Sequence, residues 1–157
     1  MNTTDKITVL KKIAREFNRA NIVWSLGASM LLYFKGIVSD YHDIDILIMD
    51  EDLKLVKEIM ALLQGEIQPF VPNEKYRSKA FLEHVISGVE VDVIAGFAIM
   101  NGGQLFDCSL RPDQIVEYAN LDGEKIPLQS VDLWRKYYEL MGREKKVQII
   151  ENYNKNE

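Results

Sequence analysis

"SDYHDIDILIMDED", residues 39–52, carries six acidic residues in fourteen. Those at its two ends need no special account at a water-facing surface. The centre does. Asp43 and Asp45 alternate with Ile44, Ile46 and Ile48, the period-two pattern of a strand with one buried face. Residues two apart in a strand share a face, so the two carboxylates project together and repel. A shared proton relieves the repulsion by raising a carboxyl pKa. A divalent cation is the other remedy, and all-oxygen ligands suit Mg²⁺ or Mn²⁺. A bare Asp-x-Asp also has a plain reading, one Asp in the turn before the strand and the other facing water.

Two further stretches bear on the choice. "VEVDVIAG", residues 89–96, places Asp92 in the middle of another apolar strand, with Glu90 on its face. Either could serve as a third ligand. Asp92 has the more apolar neighbours, so its charge is harder to explain without a partner; an edge-strand position is the plain alternative. "WSLGASMLL", residues 24–32, reads as a strand running into Gly27, then small residues, then a helix. Gly27 is expected to let the backbone turn and approach a ligand. The free N–H groups of the helix start, with the Ser29 hydroxyl, would then form an anion site. An ordinary strand-to-helix turn has the same look. Together the three stretches give a phosphate cradle, two carboxylates on the next strand and a third on a later one. Metal-assisted nucleotidyl transfer requires such a set. The third carboxylate can also take the proton of an attacking hydroxyl.

The rest of the chain supplies the frame. Leu10, Ile13, Ala14 and Phe17 predict an amphipathic helix over 4–20, and residues 21–26 a short buried strand. A short helix follows over 27–36, closed by Gly36. Leu53, Val56, Ile59, Met60 and Leu63 predict a helix over 51–64. The stretch 65–80 reads as a polar loop and 101–114 as irregular. "FLEHVIS" and "VEVDVIAGF" predict a hairpin around Gly88, and Asp122-Gly123 marks a second turn. Ser130 is placed to cap a helix starting at Val131 and Gly142 to end it, before a last helix over 144–153. This order predicts an α+β protein, a mixed α/β sheet flanked by helices. One domain over 1–157 is expected, with its core at about 20–100 and a helical part at about 130–153.

Composition narrows the function. The chain has 157 residues, 47% hydrophobic and 27% charged, with net charge −5. That balance argues against long nucleic acid, which needs a basic track, and suits a protein that holds cations. No apolar run is long enough for a membrane span, and the N-terminal stretch lacks a signal-peptide core. The single cysteine, Cys108, allows no internal disulfide, so a cytoplasmic location is expected. Two histidines, His42 and His84, make no zinc cluster.

With these residues in view, the sequence resembles the nucleotidyltransferase superfamily of DNA polymerase beta. The resemblance rests on Leu26-Gly27-Ala28, a spacer, and Asp43-Ile44-Asp45-Ile46. The "HDIDI" block is most similar to those of small aminoglycoside and lincosamide nucleotidyltransferases. "IPLQSVDLWRKYYELMGREKK", residues 126–146, resembles a helical region of abortive-infection-type transferases, where Lys136, Arg143 and Lys145 would occupy recurring basic positions. The resemblance implies a mixed sheet flanked by helices. It implies Mg²⁺ or Mn²⁺ held by Asp43, Asp45 and Asp92, which are also the catalytic residues. It implies a nucleoside triphosphate held by Gly27, Ala28 and Ser29, and a hydroxyl acceptor that is a small molecule, such as an antibiotic, or a protein. The sequence departs from the pattern at Ala28, where many members have Ser or Gly. Met30 and Leu31 stand where the tRNA-tailing branch has Arg-Asp, and Lys146 where an acidic residue is frequent. No large second domain follows, so an acceptor pocket must come from the C-terminal helices or from a partner subunit, as in a homodimer.

Other residues have two readings each. His42 could touch a phosphate, or simply face water at the strand start. Arg77 and Lys79 could close over a triphosphate, or form a solvated loop. Trp24, Trp134, Tyr137 and Tyr138 could stack on a base or pack the core. Cys108 reads as a packed or surface thiol. The rival to an enzyme is a nucleotidyltransferase fold that has lost activity and serves as a binding or partner subunit.

Overall fold

Isoleucine and valine at alternate positions decide the architecture. Ile44, Ile46 and Ile48 of strand β2 (Ile44–Ile48) and Val91 and Val93 of β5 (Val89–Ala95) are all buried on one face of a sheet. The structure, a computed structural model, describes residues 3–63, 65–68 and 78–155. Among the described residues the main sheet has seven strands in the order β3-β4-β5-β2-β1-β9-β8. These are β1 (Trp24–Gly27), β3 (Glu66–Gln68), β4 (Ala80–Ile86), β8 (Ile115–Leu121) and β9 (Glu124–Gln129), with β2 and β5. β2 runs parallel to β5 and antiparallel to β1, and β9 runs parallel to β1. The sheet is therefore mixed, and the fold is α+β as expected.

Among the described residues five α-helices flank it: α1 (Thr3–Arg19), α2 (Ala28–Phe34), α3 (Leu53–Leu62), α4 (Val131–Met141) and α5 (Glu144–Lys155). The stripe Leu10, Ile13, Ala14 and Phe17 of α1 is fully buried. Phe17 meets Trp24 edge-on at 5.6 Å, and the Trp24 indole N–H donates to Asn18 at 3.0 Å. Among the described residues no helix is long and apolar enough to cross a membrane.

Helix α4 starts and stops where its residues dictate. Ser130 Oγ accepts from the Leu133 N–H at 3.3 Å, and Gly142 ends the helix at φ +77°. Both hairpin turns of the main sheet use left-handed pairs, Ser87-Gly88 and Asp122-Gly123.

Three local expectations are revised. Residues 101–107 are not irregular: β6 (Ala98–Asn101) and β7 (Gln104–Asp107) pair through a Gly102-Gly103 turn. Four-residue strands are too short to show a clear period, so the glycine pair was their only signal. Within the stretch read as a loop, Glu66–Gln68 forms the edge strand β3, which exists only because β4 offers it a ladder. Residues 69–77, including Arg77, lie outside the described residues. The third revision concerns the glycine turn. Gly27 is extended at φ −128°, and the left-handed residue is Ala28 at φ +53°.

Candidate active site

The register of four strands assembles one row of side chains. Asp45 on β2 faces Gly27 on β1 and Asp92 on β5, and Asp92 faces Glu83 on β4. Because side chains alternate, this row lies on the face opposite Ile44, Ile46, Val91 and Val93. Glu90 precedes Asp92 by two on β5 and shares its face, and Asp43, in the bend just before β2, joins the row through its hydrogen bond to Glu90.

The carboxylates meet as two hydrogen-bonded pairs, Asp45 with Asp92 and Asp43 with Glu90. Burial, followed by the charges of Asp92 and Asp43, pushes the Asp45 carboxyl well above the usual carboxylate range. Burial, followed by the Asp43, Glu83 and Glu90 charges, pushes Asp92 up to about 7. The hydrogen bond to Asp43 raises Glu90. Crowding of like charges in a half-buried row favours the protonated form of Asp45, Asp92 and Glu90.

A cleft of about 390 Å³ opens over this face. Ala28, Ser29, His42, Asp43 and Asp45 line it together with Phe81, Glu83, Ile94 and Phe97. Trp134, Tyr138 and Met141 of α4, Arg143 of the connection and Lys146 of α5 complete the described lining. Asp92 is not among the lining residues and reaches the cleft through its bond to Asp45. Ser29 Oγ accepts from the His42 N–H at 3.3 Å, which ties the start of α2 to the residues before β2.

Gly27 serves packing. A Cβ at this position would stand 2.3 Å from Cζ2 of Trp134. The indole lies over the glycine and is itself fixed, its N–H donating to Gln129 Oε1 at 2.9 Å. Trp134 and Tyr138 line the cleft, whereas Trp24 belongs to the core with Phe17.

The positive side of the cleft comes from the chain that leaves α4. Gly142 reverses the backbone, and the Arg143 guanidinium sits 5.8 Å from the Tyr138 ring centre. Its charge acts on Asp45. Burial, followed by the Arg143 charge, lowers the Lys146 pKa, so two cations are crowded together opposite the crowded carboxylates. His84 lies on the other face of β4, beside Gly65 and Ile86, where burial lowers its pKa. Lys79 pairs with Asp50 at 2.6 Å, and Cys108 is buried.

Glu83 was not singled out from the sequence, although a signal existed. A two-residue turn at Ser87-Gly88 fixes the β4–β5 register and sets Glu83 opposite Asp92. Phe81 then follows as the residue opposite Ile94. Phe97, Met141 and Lys146 carried no such signal, because they arrive from other elements.

Known structures share this architecture. A proposed nucleotidyltransferase from Thermotoga maritima superposes with a TM-score of 0.75 at 22% identity, covering 100% of this chain and 97% of its own. A crystal structure of ANT(2'')-Ia in complex with adenylyl-2''-tobramycin gives 0.58 at 13% identity, covering 97% and 98% of the two chains. A solution structure of the same antibiotic-resistance factor gives 0.59 at 16%, covering 99% and 94%. The chain has the nucleotidyltransferase fold. No protein-family model matches its sequence, and no curated protein matches it.

Proposed function

We propose that the protein is a metal-dependent nucleotidyltransferase that moves a nucleoside monophosphate from a triphosphate to a hydroxyl acceptor. One observation carries this reading: Asp43, Asp45 and Asp92 gather beside a cleft that Arg143 and Lys146 also line. Carboxylates opposite cations across a cleft suit a ligand that brings both metal charge and phosphate charge. The fold supports the same class.

The donor set fits a hard divalent cation, since it is all oxygen and partly buried. Among the described residues, however, no three or more His, Cys, Asp or Glu side chains form a ready-made metal group. The carboxylates meet in pairs, and a cation would take the place of their shared protons. Asp43, Asp45 and Asp92 would hold Mg²⁺ or Mn²⁺, which supplies charge neutralisation of the triphosphate. Arg143 and Lys146 bind its phosphate oxygens. Ala28, Ser29 and the backbone after Gly27 face the same space. Asp92 accepts the proton of the acceptor hydroxyl. The acceptor oxygen bonds to the α-phosphorus while the bond to pyrophosphate breaks and pyrophosphate leaves. The acceptor is a small molecule such as an aminoglycoside, or a protein hydroxyl.

The second reading is an inactive nucleotide-binding or partner subunit. The pairwise meeting of the carboxylates, short of a formed metal group, favours it. A thermal-shift panel of the four NTPs with Mg²⁺ or Mn²⁺ tests both. Binding to the native state raises the melting temperature. A metal-dependent rise with at least one NTP supports the site, and no rise with any of them removes the transfer reading. Formation of pyrophosphate with an acceptor then separates enzyme from scaffold.

Replacing Arg143 by Ala gives a further check. Loss of a charge-assisted bond to phosphate costs about 1.5–3 kcal/mol. Calorimetry on Mg²⁺–NTP is expected to show Kd rising roughly ten- to hundredfold. An unchanged Kd would exclude Arg143 from phosphate binding.

A further inference from the structure

His84, on the face of β4 away from the cleft, is buried with its polar atoms unmatched. It is 1% exposed, and neither Nδ1 nor Nε2 has a hydrogen-bond partner among the described residues. Buried polar groups are ordinarily paired, so two orphaned ring nitrogens ask for a physical account. The ring fills the place where α3, β3 and β4 meet. A Cβ on Gly65 would stand 3.4 Å from His84 Cδ2, 3.3 Å from Ile86 Cγ1 and 3.1 Å from the Met60 carbonyl oxygen. The Gly65 N–H donates to that same carbonyl, on the last turn of α3, at 2.9 Å. Two residues on, β3 sets Ile67 opposite His84. The imidazole is thus packed under the passage from α3 into the edge strand.

A protonated ring finds no countercharge here. Glu83 on β4, and Glu90 and Asp92 on β5, alternate with His84 and its partner Val91 and so belong to the opposite face. Glu66 of β3 is in register with Val85, not with His84. Lys54, Lys57 and Glu58 of α3 are exposed. Backbone groups of Leu82 and Val91 ease the charged form, but burial opposes it more strongly and holds the His84 pKa below the ordinary 6.5. A neutral imidazole can stay in such a place, whereas an imidazolium needs solvent. Solvent lies one strand away, since Ile67 is 61% exposed. The strand between offers little resistance, being three residues long with β4 as its one neighbour in the sheet.

We propose that His84 is an acid-sensitive latch, whose protonation releases the edge at 65–68 from β4 while the central strands β1, β2 and β5 stay paired. This device does not depend on the transfer reading. The closed edge binds the proton more weakly than the open one. Closure is therefore fully present above about pH 6.5 and is lost as pH falls below it. Where protonation requires opening, the opening equilibrium grows by a factor of 1 + 10^(6.5 − pH), about elevenfold at pH 5.5. The carboxyls of Asp45 and Asp92 respond with the opposite sign, because their pKa values are raised and acid relieves their repulsion. Mild acid thus loosens the edge of the sheet and tightens its centre. β4 also carries Phe81 and Glu83 of the cleft lining, so the latched strand is one that shapes the cleft.

Hydrogen exchange of the full chain, followed by NMR at pH 7.5 and 5.5 and corrected for intrinsic rates, tests the latch. In wild type the amides at 65–68 and the β4 amides that bond to them are expected to lose about tenfold in protection at the lower pH, relative to the amides of β2 and β5. In His84→Leu, which cannot take up the proton, that relative loss is expected to vanish. His84→Gln stays neutral and polar and is expected to match it, and it gives the result where His84→Leu fails to fold. The ring signals of His84 in wild type are expected to titrate below 6.5, a measurement that needs no variant. An equal loss in wild type and variants, a loss spread evenly over all strands, no loss at 65–68, or a His84 ring titrating at or above 6.5 each overturns the proposal.

Discussion

Asp45→Asn is expected to abolish metal-dependent NTP binding and at the same time to make the ligand-free protein more stable at pH 8. The substitution keeps the shape of the side chain and removes one buried charge. Asp45 and Asp92 both have carboxyl pKa values raised above the ordinary 3.8, through burial first and then through neighbouring carboxylates. The folded state therefore holds protons that the unfolded chain has released. The contribution of this pair to stability is fully present below about pH 4 and is lost as pH climbs through about 7. At pH 8 the repulsion is at its greatest, and the amide introduced by the substitution donates to Asp92 at any pH. Allowing for solvent screening, a gain on the order of 1–2 kcal/mol is expected. That corresponds to a rise in Tm of roughly 2–8 °C for a chain of this size.

The gain should shrink at pH 5, where wild type holds the shared proton by itself. In wild type at pH 8, NTP with Mg²⁺ at about a hundredfold excess over Kd adds about 2.7 kcal/mol; in Asp45→Asn that increment should vanish. Melting curves at the two pH values, with and without Mg²⁺–NTP, read all of this together. A variant less stable than wild type at pH 8 would refute the charge repulsion. A retained metal-dependent shift would refute the metal role. Carboxylates kept at a cost to the empty fold are what a binding site requires.

Gly27→Ala is expected to destabilise the protein before any ligand is considered. The added Cβ would meet Trp134 Cζ2 at 2.3 Å and Cε2 at 2.8 Å. The indole has little room to yield. It is 2% exposed, bonded to Gln129, and packed against Phe97, Tyr137 and Tyr138. Overpacking of a filled core costs about 1–3 kcal/mol, a fall in Tm of roughly 2–12 °C here. Because Trp134 also lines the cleft, the NTP-linked shift should fall too. Trp134→Phe in the Gly27→Ala background removes the indole's benzo ring and should recover part of the loss, a non-additive pair in direct contact. A Gly27→Ala protein with unchanged ligand-free Tm and a lost NTP shift would instead return Gly27 to a ligand-contacting role.

The two carboxylates of residues 39–52, the third at Asp92, the strand–helix passage after Trp24 and the caps of α4 are local signals, and the fold follows them closely. They are legible because strand alternation, turn residues and capping residues act over a few positions in the chain. β3 and the β6–β7 hairpin were not legible. Their strands are too short to show a period and depend on neighbours supplied by the fold. The same distinction runs through the cleft.

Sequence alone determined that Asp45 alternates with the buried isoleucines of a strand, because a strand repeats every two residues, and that Asp43 stands close before it; the structure puts Asp43 in the bend that precedes β2. Sequence alone also determined that Ser130 opens a helix and Gly142 closes it. Only the tertiary structure decided that Asp92 lies directly beside Asp45, because nothing local fixes the parallel register of β2 and β5. It alone brought Arg143 and Lys146, about a hundred residues downstream, across from them. It also changed the meaning of Gly27. A glycine before a helix reads as backbone freedom, yet its φ is one any residue adopts, and what forbids a side chain there is the indole of Trp134. Steric exclusion by a residue distant in the chain leaves no mark on the local sequence, and the packing of α4 onto the sheet is what reveals it.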